Sequence, residues 1–178
     1  MWPPPSSELR FTDPVEAARS FAVDYIGFVA PNFGEFRAGD QRSGEVEVRV
    51  GEVGPTTVVF VRQLTADDTW WVTGSATDNI VVQQPDAFTS IRSPLTVTGL
   101  ARAFEGTVNV ELRADGSDEP LVEGFVTGSG GPDLGPFEET FEFDNPGEGG
   151  GALVLVTFSP DSGNVLEAEV VRLFFALA

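Results

Sequence analysis

The sequence predicts a small α+β domain, in which one helix lies on an antiparallel sheet, followed by an all-β sandwich. A single stretch near the N-terminus carries apolar residues at helical spacing, whereas much of the remaining chain alternates apolar and polar residues as strands do. The chain also contains 20 glycines and 13 prolines among 178 residues. So many turn-forming residues are typical of a protein built from short strands.

The helix is predicted from Pro14 to Val29. Asp13 suits the N-cap, Pro14 suits the first helical position, and Glu16 completes a capping box. Pro31 is expected to end the helix. The apolar stripe is wide and needs a surface to pack on, so the helix is expected to cover one face of a sheet. The residues of the stripe are Val15, Ala18, Phe21, Ala22, Tyr25, Ile26, Phe28 and Val29.

Three strands are predicted after the helix, at residues 45–50, 56–64 and 70–76, and residues 80–82 continue the same pattern. The segments between them have the length of hairpin connections. One helix followed by such a meander is an α+β layer. This order of elements resembles a reduced cystatin or nuclear-transport-factor-2 fold.

The stretch from Ile91 to Gly116 is the most informative part of the second half. Leu95 and Val97 alternate with threonines, and Gly99 is expected to break this strand before a second alternating run begins. Asp115-Gly116 has the chemistry of a turn that tolerates a positive φ angle. The buried face of the second run is expected to be Val108, Val110 and Leu112.

The segment from Ile91 through Leu112 reads I-x-S-P-L-T-V-T-G-x-A-x-x-F-E-G-T-V-N-V-E-L. It resembles the immunoglobulin-like domain of bacterial spore germination proteins. Gly135-Pro136-Phe137 and the run from Phe158 to Gly163 are also similar to that family, although Pro160 departs from it. The resemblance extends over the region from Phe88 to Ala178. It implies an immunoglobulin-like β-sandwich from a family of cell-envelope proteins and lipoproteins without established catalytic residues.

These patterns together predict three segments: a linker at residues 1–12, an α+β domain at 13–84 and an immunoglobulin-like β-sandwich at 88–178. The polar sequence QQPDA separates the last two. Residues 152–158 are continuously apolar, as expected of a strand buried on both faces. The last strand changes its apolar parity along its length, so a β-bulge is predicted near Val170-Val171.

The chain is strongly acidic, with 28 aspartates and glutamates against 10 basic residues. Residues 1–86 carry 13 acids and 6 arginines, and residues 87–178 carry 15 acids and 4 arginines. Such a field repels phosphate backbones and anionic bilayers, so neither nucleic acid nor a membrane surface is expected as a partner. A cationic partner, or simply a soluble monomer or weak dimer, is compatible with it.

Histidine and cysteine are both absent from the sequence. Without histidine there is no Ser-His-Asp triad and the commonest transition-metal ligand is missing, and without cysteine there are neither disulfides nor thiolates. We therefore predict no catalytic residue, no cofactor and no metal site, and we do not predict an enzyme.

Residues 1–7 lack the basic and apolar regions of a signal peptide, and no run approaches the ~20 apolar residues of a membrane span. A Pro-rich polar start is what remains when the signal and anchoring cysteine of a lipoprotein are removed. This hypothesis places the protein outside the cytoplasm, associated with the cell envelope. A gene that encodes no such upstream signal would contradict it.

Three groups of carboxylates invite a chemical interpretation. Asp67-Asp68 precede two tryptophans, and a carboxylate pair beside aromatic rings is compatible with glycoside hydrolysis, but a hairpin turn is the favoured interpretation. Glu139 shares the parity of Phe137 and would have a raised pKa if buried, but a position that reaches solvent is favoured. A third group offers oxygen ligands for Ca²⁺, although its spacing differs from an EF-hand and a solvated hairpin tip is favoured. This group is Asp115, Ser117, Asp118 and Glu119.

Trp70 and Trp71 are neighbours on a predicted strand, so their side chains should point to opposite faces. An exposed indole is a candidate platform for a sugar ring or an apolar chain, whereas burial under the helix is the favoured interpretation. The leading hypothesis for function is a non-enzymatic envelope protein whose sandwich contacts a protein or cell-wall partner, in a sporulation or germination system. The alternative is a small-ligand binding module with a pocket in the α+β domain.

Overall fold

The computed structural model describes residues 1–117 and 119–176. Within them lies one short α-helix, α1 (Pro14–Ser20), which continues as a π-helical segment (Phe21–Ile26). The strands of the first half are β1 (Asn32–Phe33), β2 (Arg37–Ala38), β3 (Ser43–Arg49), β4 (Thr56–Arg62), β5 (Trp71–Thr77) and β6 (Ile80–Gln84). A 3₁₀ turn at Phe104–Gly106 separates two strands of the second half. The strands of that half are β7 (Ser90–Ile91), β8 (Leu95–Ala101), β9 (Thr107–Ala114), β10 (Val122–Thr127), β11 (Gly135–Phe141), β12 (Gly149–Phe158) and β13 (Val165–Phe175).

The strands form a mostly antiparallel sheet that folds into two layers. The large layer has the order β3-β4-β5-β13-β12-β9-β10, with β1 and β2 pairing along the outer side of β3. The second layer has the order β6-β8-β11 and is joined to the first where Thr77 of β5 pairs with Ile80 of β6. Among the strands of the described residues, only β7 pairs in parallel, with β13. The prediction of antiparallel β structure with a single helix is confirmed.

Two hydrophobic cores lie on opposite faces of β12 and β13. The first core lies between the helix and the large layer, and the second lies between the two layers. Successive residues of β12 alternate between the cores: Ala152 and Val154 belong to the first, and Leu153 and Leu155 to the second. The strand is therefore buried on both faces, as its apolar run predicts.

The predicted bulge near Val170-Val171 is wrong. The pairing of β12 with β13 passes through both residues without a shift, and the irregularity lies at Thr157/Phe158 instead. Val170 belongs to the first core and Val171 to the second, so residues of both parities are buried because each face of β13 covers a core. A bulge was not needed to bury them.

The helix is shorter than predicted. The Asp13 carboxylate accepts hydrogen bonds from the backbone N–H groups of Val15 and Glu16, at 2.8 and 3.0 Å, so the predicted N-cap is present. The π-helical segment ends at Gly27, whose φ of +90° is the left-handed conformation that glycine adopts at helix ends. Val29 consequently lies outside the helix and is exposed. The chain leaves the helix well before Pro31 can act as a terminator.

Gly99 does not break a strand, contrary to the sequence prediction. Strand β8 continues through Gly99. A Cβ added at this position would collide with the Val81 carbonyl oxygen of β6 and would lie 2.6 Å from the Phe137 ring. The residue is glycine because the neighbouring strand and ring approach so closely. The chain turns later, at Phe104–Gly106.

The division into segments 1–12, 13–84 and 88–178 stays a prediction. The structure adds two facts that bear on it. Within residues 1–12, Trp2 and Phe11 make isolated bridges with Val72 and Trp70, so this segment packs against the first core. Between the two larger segments, Ser75 of β5 pairs with Val170 of β13. In the part of the chain that the structure describes, no helix is long and apolar enough to cross a membrane.

Candidate functional site

The Asp67-Asp68 segment forms a turn. Threonine hydroxyls at positions 65 and 69 donate hydrogen bonds to the Asp67 carboxylate, the second of them at 2.7 Å. The hydrogen bond from Thr65 and, to a lesser extent, that from Thr69 lower the pKa of Asp67 below its ordinary value. The carboxylate is thus occupied in stabilising the turn, which supports the favoured interpretation over a hydrolytic pair.

Trp70 and Trp71 are both buried, with 9% and 8% of their surface exposed. The Trp70 ring meets the edge of Phe36 at 5.2 Å between centroids, inside the first core. Neither indole lines the cavities described below. The ligand platform proposed for these residues stays a prediction, and no indole face is displayed to support it.

The loop considered for calcium is dominated by an internal ion pair. The Asp115 carboxylate accepts hydrogen bonds from both terminal nitrogens of the buried Arg172, at 2.6 and 2.5 Å. Ser117 donates to the carbonyl oxygen of Glu119, and Asp118 lies outside the described residues. Glu139, the third candidate acid, is exposed on β11. In residues 1–117 and 119–176, no group of three or more acidic, histidine or cysteine side chains is arranged to hold a metal ion.

Two cavities lie beside the helix. One of about 490 Å³ lies between the end of the helix and strand β9, where the Arg113 guanidinium is 4.7 Å from the centre of the Tyr25 ring. Burial raises the pKa of Tyr25 to about 12, and Arg113 partly opposes the rise. The other, of about 560 Å³, runs along the outer side of the helix and is lined mainly by apolar side chains. They include Leu9, Val23, Pro31 and Phe33.

A smaller cavity, of about 240 Å³, lies at the end of the sandwich and is called the two-phenylalanine pocket. Phe104 comes from the turn before β9, and Phe158 ends β12. Both are exposed, by 63% and 41%. The other side chains that matter for its chemistry are Asn79, Arg102, Pro160 and Glu167.

Glu167 is the buried acid of this pocket, with 2% of its surface exposed. Its carboxylate accepts hydrogen bonds from the hydroxyls of Thr77 and Thr157 and from the Asn79 amide, the last at 3.0 and 3.2 Å. In the described residues, no arginine nitrogen lies within 4.0 Å of it. Glu167 is not among the site residues predicted from the sequence, although its parity with Val171 and Leu173 on β13 places an acid on a buried face.

Glu169 lies two residues farther along β13, on the same side as Glu167. Burial raises the pKa of Glu169 from an ordinary 4.5 to about 8, and the hydrogen bond from the Thr77 N–H, at 3.1 Å, opposes part of the rise. Between these pH values the folded protein retains a proton that the unfolded chain has released. Folding stability contributed by this group is therefore present below pH 4.5 and decreases as the pH rises towards 8.

Glu169→Gln should stabilise the protein at pH 9 by a few kilocalories per mole and leave the stability nearly unchanged below about pH 4. The amide oxygen of glutamine can still accept the Thr77 hydrogen bond but carries no charge to desolvate. Urea unfolding at pH 4 and pH 9 measures the difference. Glu138→Gln, at an exposed position of β11, is the matched control and should not change the pH dependence. An equal gain at both pH values would contradict the argument.

The two sheet layers end in unpaired edges that lie side by side. Strand β10 ends the large layer and β11 ends the second layer, and neither pairs on its outer side within the described residues. The Phe141 ring of β11 lies 2.8 Å from where a Cβ of Gly124 in β10 would be. Exposed acids Glu123, Glu138 and Glu139 occupy the two strands. Edges of this kind can accept an added strand, and their charges also discourage uncontrolled pairing.

Comparison with known proteins gives one match, and it covers part of the chain. No curated protein and no solved structure is matched by it. Residues 79–164 match the family model described as the immunoglobulin-like domain of bacterial spore germination. The match covers strands β6 to β12 and both phenylalanines of the small pocket. It confirms, for residues 79–164, the resemblance read from the segment between Ile91 and Leu112.

Proposed function

We propose that the protein is a non-catalytic protein-interaction module of a germination-type system, whose edge strands β10 and β11 take up an extended partner segment. The observation that carries the proposal is the match of residues 79–164 to the germination domain. The unpaired outer sides of both strands support this mode, because a partner strand gains main-chain hydrogen bonds there. In this proposal residues 13–84 form a small α+β domain that packs against β12 and β13, and residues 88–178 carry the binding surface.

A photo-cross-linking residue in place of Glu139 tests the proposal. With envelope extract from a sporulating bacterium, we expect one discrete adduct, which excess unlabelled protein should abolish by competition. The control places the same residue at Val53, in the exposed loop between β3 and β4, and should give no such adduct. Equal labelling from both positions, or none from position 139, would exclude these edges as the binding surface.

The cellular setting is part of the same proposal. We place the protein outside the cytoplasm, at the cell envelope, as the folded part of a lipoprotein, where it acts as a monomer or weak dimer on a protein or cell-wall partner. The acidic surface supports a soluble protein that does not insert into the bilayer. Metabolic labelling of the full-length gene product with a lipid precursor tests the anchor. Absence of label would sink the lipoprotein assignment without affecting the interaction surface.

A small-ligand binding module is the alternative, favoured by the cavity of about 490 Å³ beside the helix. Its volume lies within the range of about 300–1,000 Å³ that is usual for ligand pockets. Arg113 and Tyr25 would supply polar and aromatic contacts. Fluorescence of the three tryptophans, one of which lines this cavity, gives the readout for a ligand screen. Saturable quenching that Arg113→Met abolishes would favour this function over the first.

A further inference from the structure

Two motifs of the germination-domain resemblance meet in the two-phenylalanine pocket. Phe104 belongs to the F-E-G-T-V motif, and Phe158 begins the F-S-P-D-S-G run. Apolar residues of the neighbouring motif, such as Val97 and Val108, are buried in the second core. The two phenylalanines instead face one cavity from elements distant in sequence, and both are exposed. Core packing therefore does not account for them.

The backbone holds Phe104 away from the core. Glu105 adopts a φ of +54°, a left-handed conformation that is unfavourable for a residue with a side chain, and Gly106 follows at +74°. The turn is fixed by hydrogen bonds from the Gly106 N–H to the Ala103 carbonyl and from the Gly128 N–H to the Gly106 carbonyl, at 2.9 and 2.8 Å. Strain that persists because the surroundings enforce it is common at binding sites. Here it positions the ring at the rim of the cavity.

The floor of the pocket carries a buried acid, Glu167, that makes no direct ion pair within the described residues. The Glu167 carboxylate is buried without an arginine in salt-bridge distance, whereas buried charges are usually paired. Arg102 lines the same cavity, but its guanidinium donates to the Asn79 side-chain oxygen and to the Pro132 carbonyl, at 2.5 and 2.6 Å. Further acids adjoin lining residues in the sequence: Asp78, Glu105 and Asp161. A cation is the ligand that this charge distribution favours.

We propose that the two-phenylalanine pocket binds an arginine side chain of a partner protein. At about 240 Å³ the cavity is smaller than the ~300 Å³ at which pockets for drug-sized ligands begin, so it suits one side chain. The planar guanidinium stacks on aromatic rings better than an ammonium does, and Phe104 and Phe158 supply the rings. Glu167 acts through space, because threonine and asparagine side chains already donate to its oxygens. This inference rests on the proposed function only in taking the ligand to be a protein segment.

Titration of the full chain with short capped peptides, followed by ¹H–¹⁵N correlation spectra, tests the proposal. Acetyl-Gly-Arg-Gly-amide should shift the amide signals of Phe104 and Phe158, and the norleucine analogue should not. Phe104→Ala should lower the affinity for the arginine peptide about threefold to tenfold, as expected for the loss of one cation–π contact. Phe60→Ala is the matched control, because Phe60 is exposed on β4, by 41%, and does not line the pocket. Well-dispersed spectra show that each variant is folded.

Three results would overturn the inference: equal shifts with the norleucine peptide, equal weakening of binding by Phe60→Ala, or shifts confined to another part of the surface. A peptide with lysine in place of arginine is titrated in the same way, and equal affinity for it would overturn the assignment to arginine. The titration is independent of the cross-linking at position 139, which reports on the sheet edges. Failure of one experiment with success of the other therefore separates the pocket from the proposed edge binding.

Discussion

Leu155→Ala is expected to lower the free energy of unfolding by about 2–5 kcal/mol, the usual cost of truncating a fully buried leucine. Leu155 faces the second core from the middle of β12, whereas its neighbours Val154 and Val156 face the first. Since β12 contributes side chains to both cores, a substitution that destabilises one core should also destabilise the other. We therefore expect both cores to unfold in a single transition that the substitution shifts as a whole.

Denaturation followed by two probes checks this expectation. The chain has three tryptophans, Trp2, Trp70 and Trp71; the first two pack with the first core and none belongs to the second. Tryptophan fluorescence therefore reports on the first half, and far-ultraviolet circular dichroism reports on the whole chain. Both midpoints should move together. Val53→Ala, at an exposed loop position, should change stability by less than about 0.5 kcal/mol. A fluorescence midpoint unmoved by Leu155→Ala would mean that the halves unfold independently.

Asp115→Ala should destabilise the protein by about 3–5 kcal/mol, because it leaves the buried Arg172 guanidinium without its carboxylate. Among the described residues, Arg172 then retains only the Gly151 carbonyl as a hydrogen-bond acceptor, at 2.9 Å. Asp115→Ala combined with Arg172→Met removes both charges and should recover most of the loss. Glu16→Ala breaks the exposed pair with Arg19 and should cost less than about 1 kcal/mol. Urea unfolding of the wild type and these three variants decides whether burial of the unpaired charge or loss of the ion pair itself dominates the cost.

The same ion pair predicts a loss of stability in acid. Burial alone would raise the pKa of Asp115, but hydrogen bonds from Arg172 and the nearby Met1 amino group outweigh it, so the pKa lies below its ordinary value. A carboxyl with a lowered folded pKa stabilises above the unfolded value of about 3.9 and ceases to do so as the pH falls through the folded value. The difference in stability between wild type and Asp115→Ala should therefore shrink below about pH 4. A difference that is constant from pH 7 to pH 2 would contradict this account.

Much of the fold could be read from apolar periodicity. The double burial of β12 follows from its continuous apolar run, and the alternation around Val108 and Val110 places the second core. The predictions that were wrong concern positions where tertiary contacts outweigh the local sequence preference. Gly27 ends the helix before Pro31, and Gly99 serves a close approach of strands. The parity change at Val170-Val171 reflects a core on each face, which a single sequence does not distinguish from a bulge.

The pocket was harder to foresee than the fold. Phe104 belongs to a recognisable motif, yet its exposure depends on a left-handed Glu105, a conformation that sequence rules assign to glycine. Glu167 was detectable as an acid on an apolar parity, but its donors Thr77 and Thr157 come from strands that pairing alone brings near it. Polar groups that are brought together from distant parts of the chain leave no periodic pattern in the sequence, so a local pattern does not predict such a cluster.

The sharing of β12 and β13 also determines when the protein can fold during synthesis. The helix and β3 to β5 leave the ribosome first, but their apolar surfaces are completed only by strands at residues 149–175. At ordinary translation rates the interval between Thr77 and Phe175 lasts about 5–20 s. During that time the nascent chain displays a half-built core and unsatisfied strand edges, the kind of surface that holdase chaperones recognise. Neither core can therefore be completed until residues 149–175 have been synthesised.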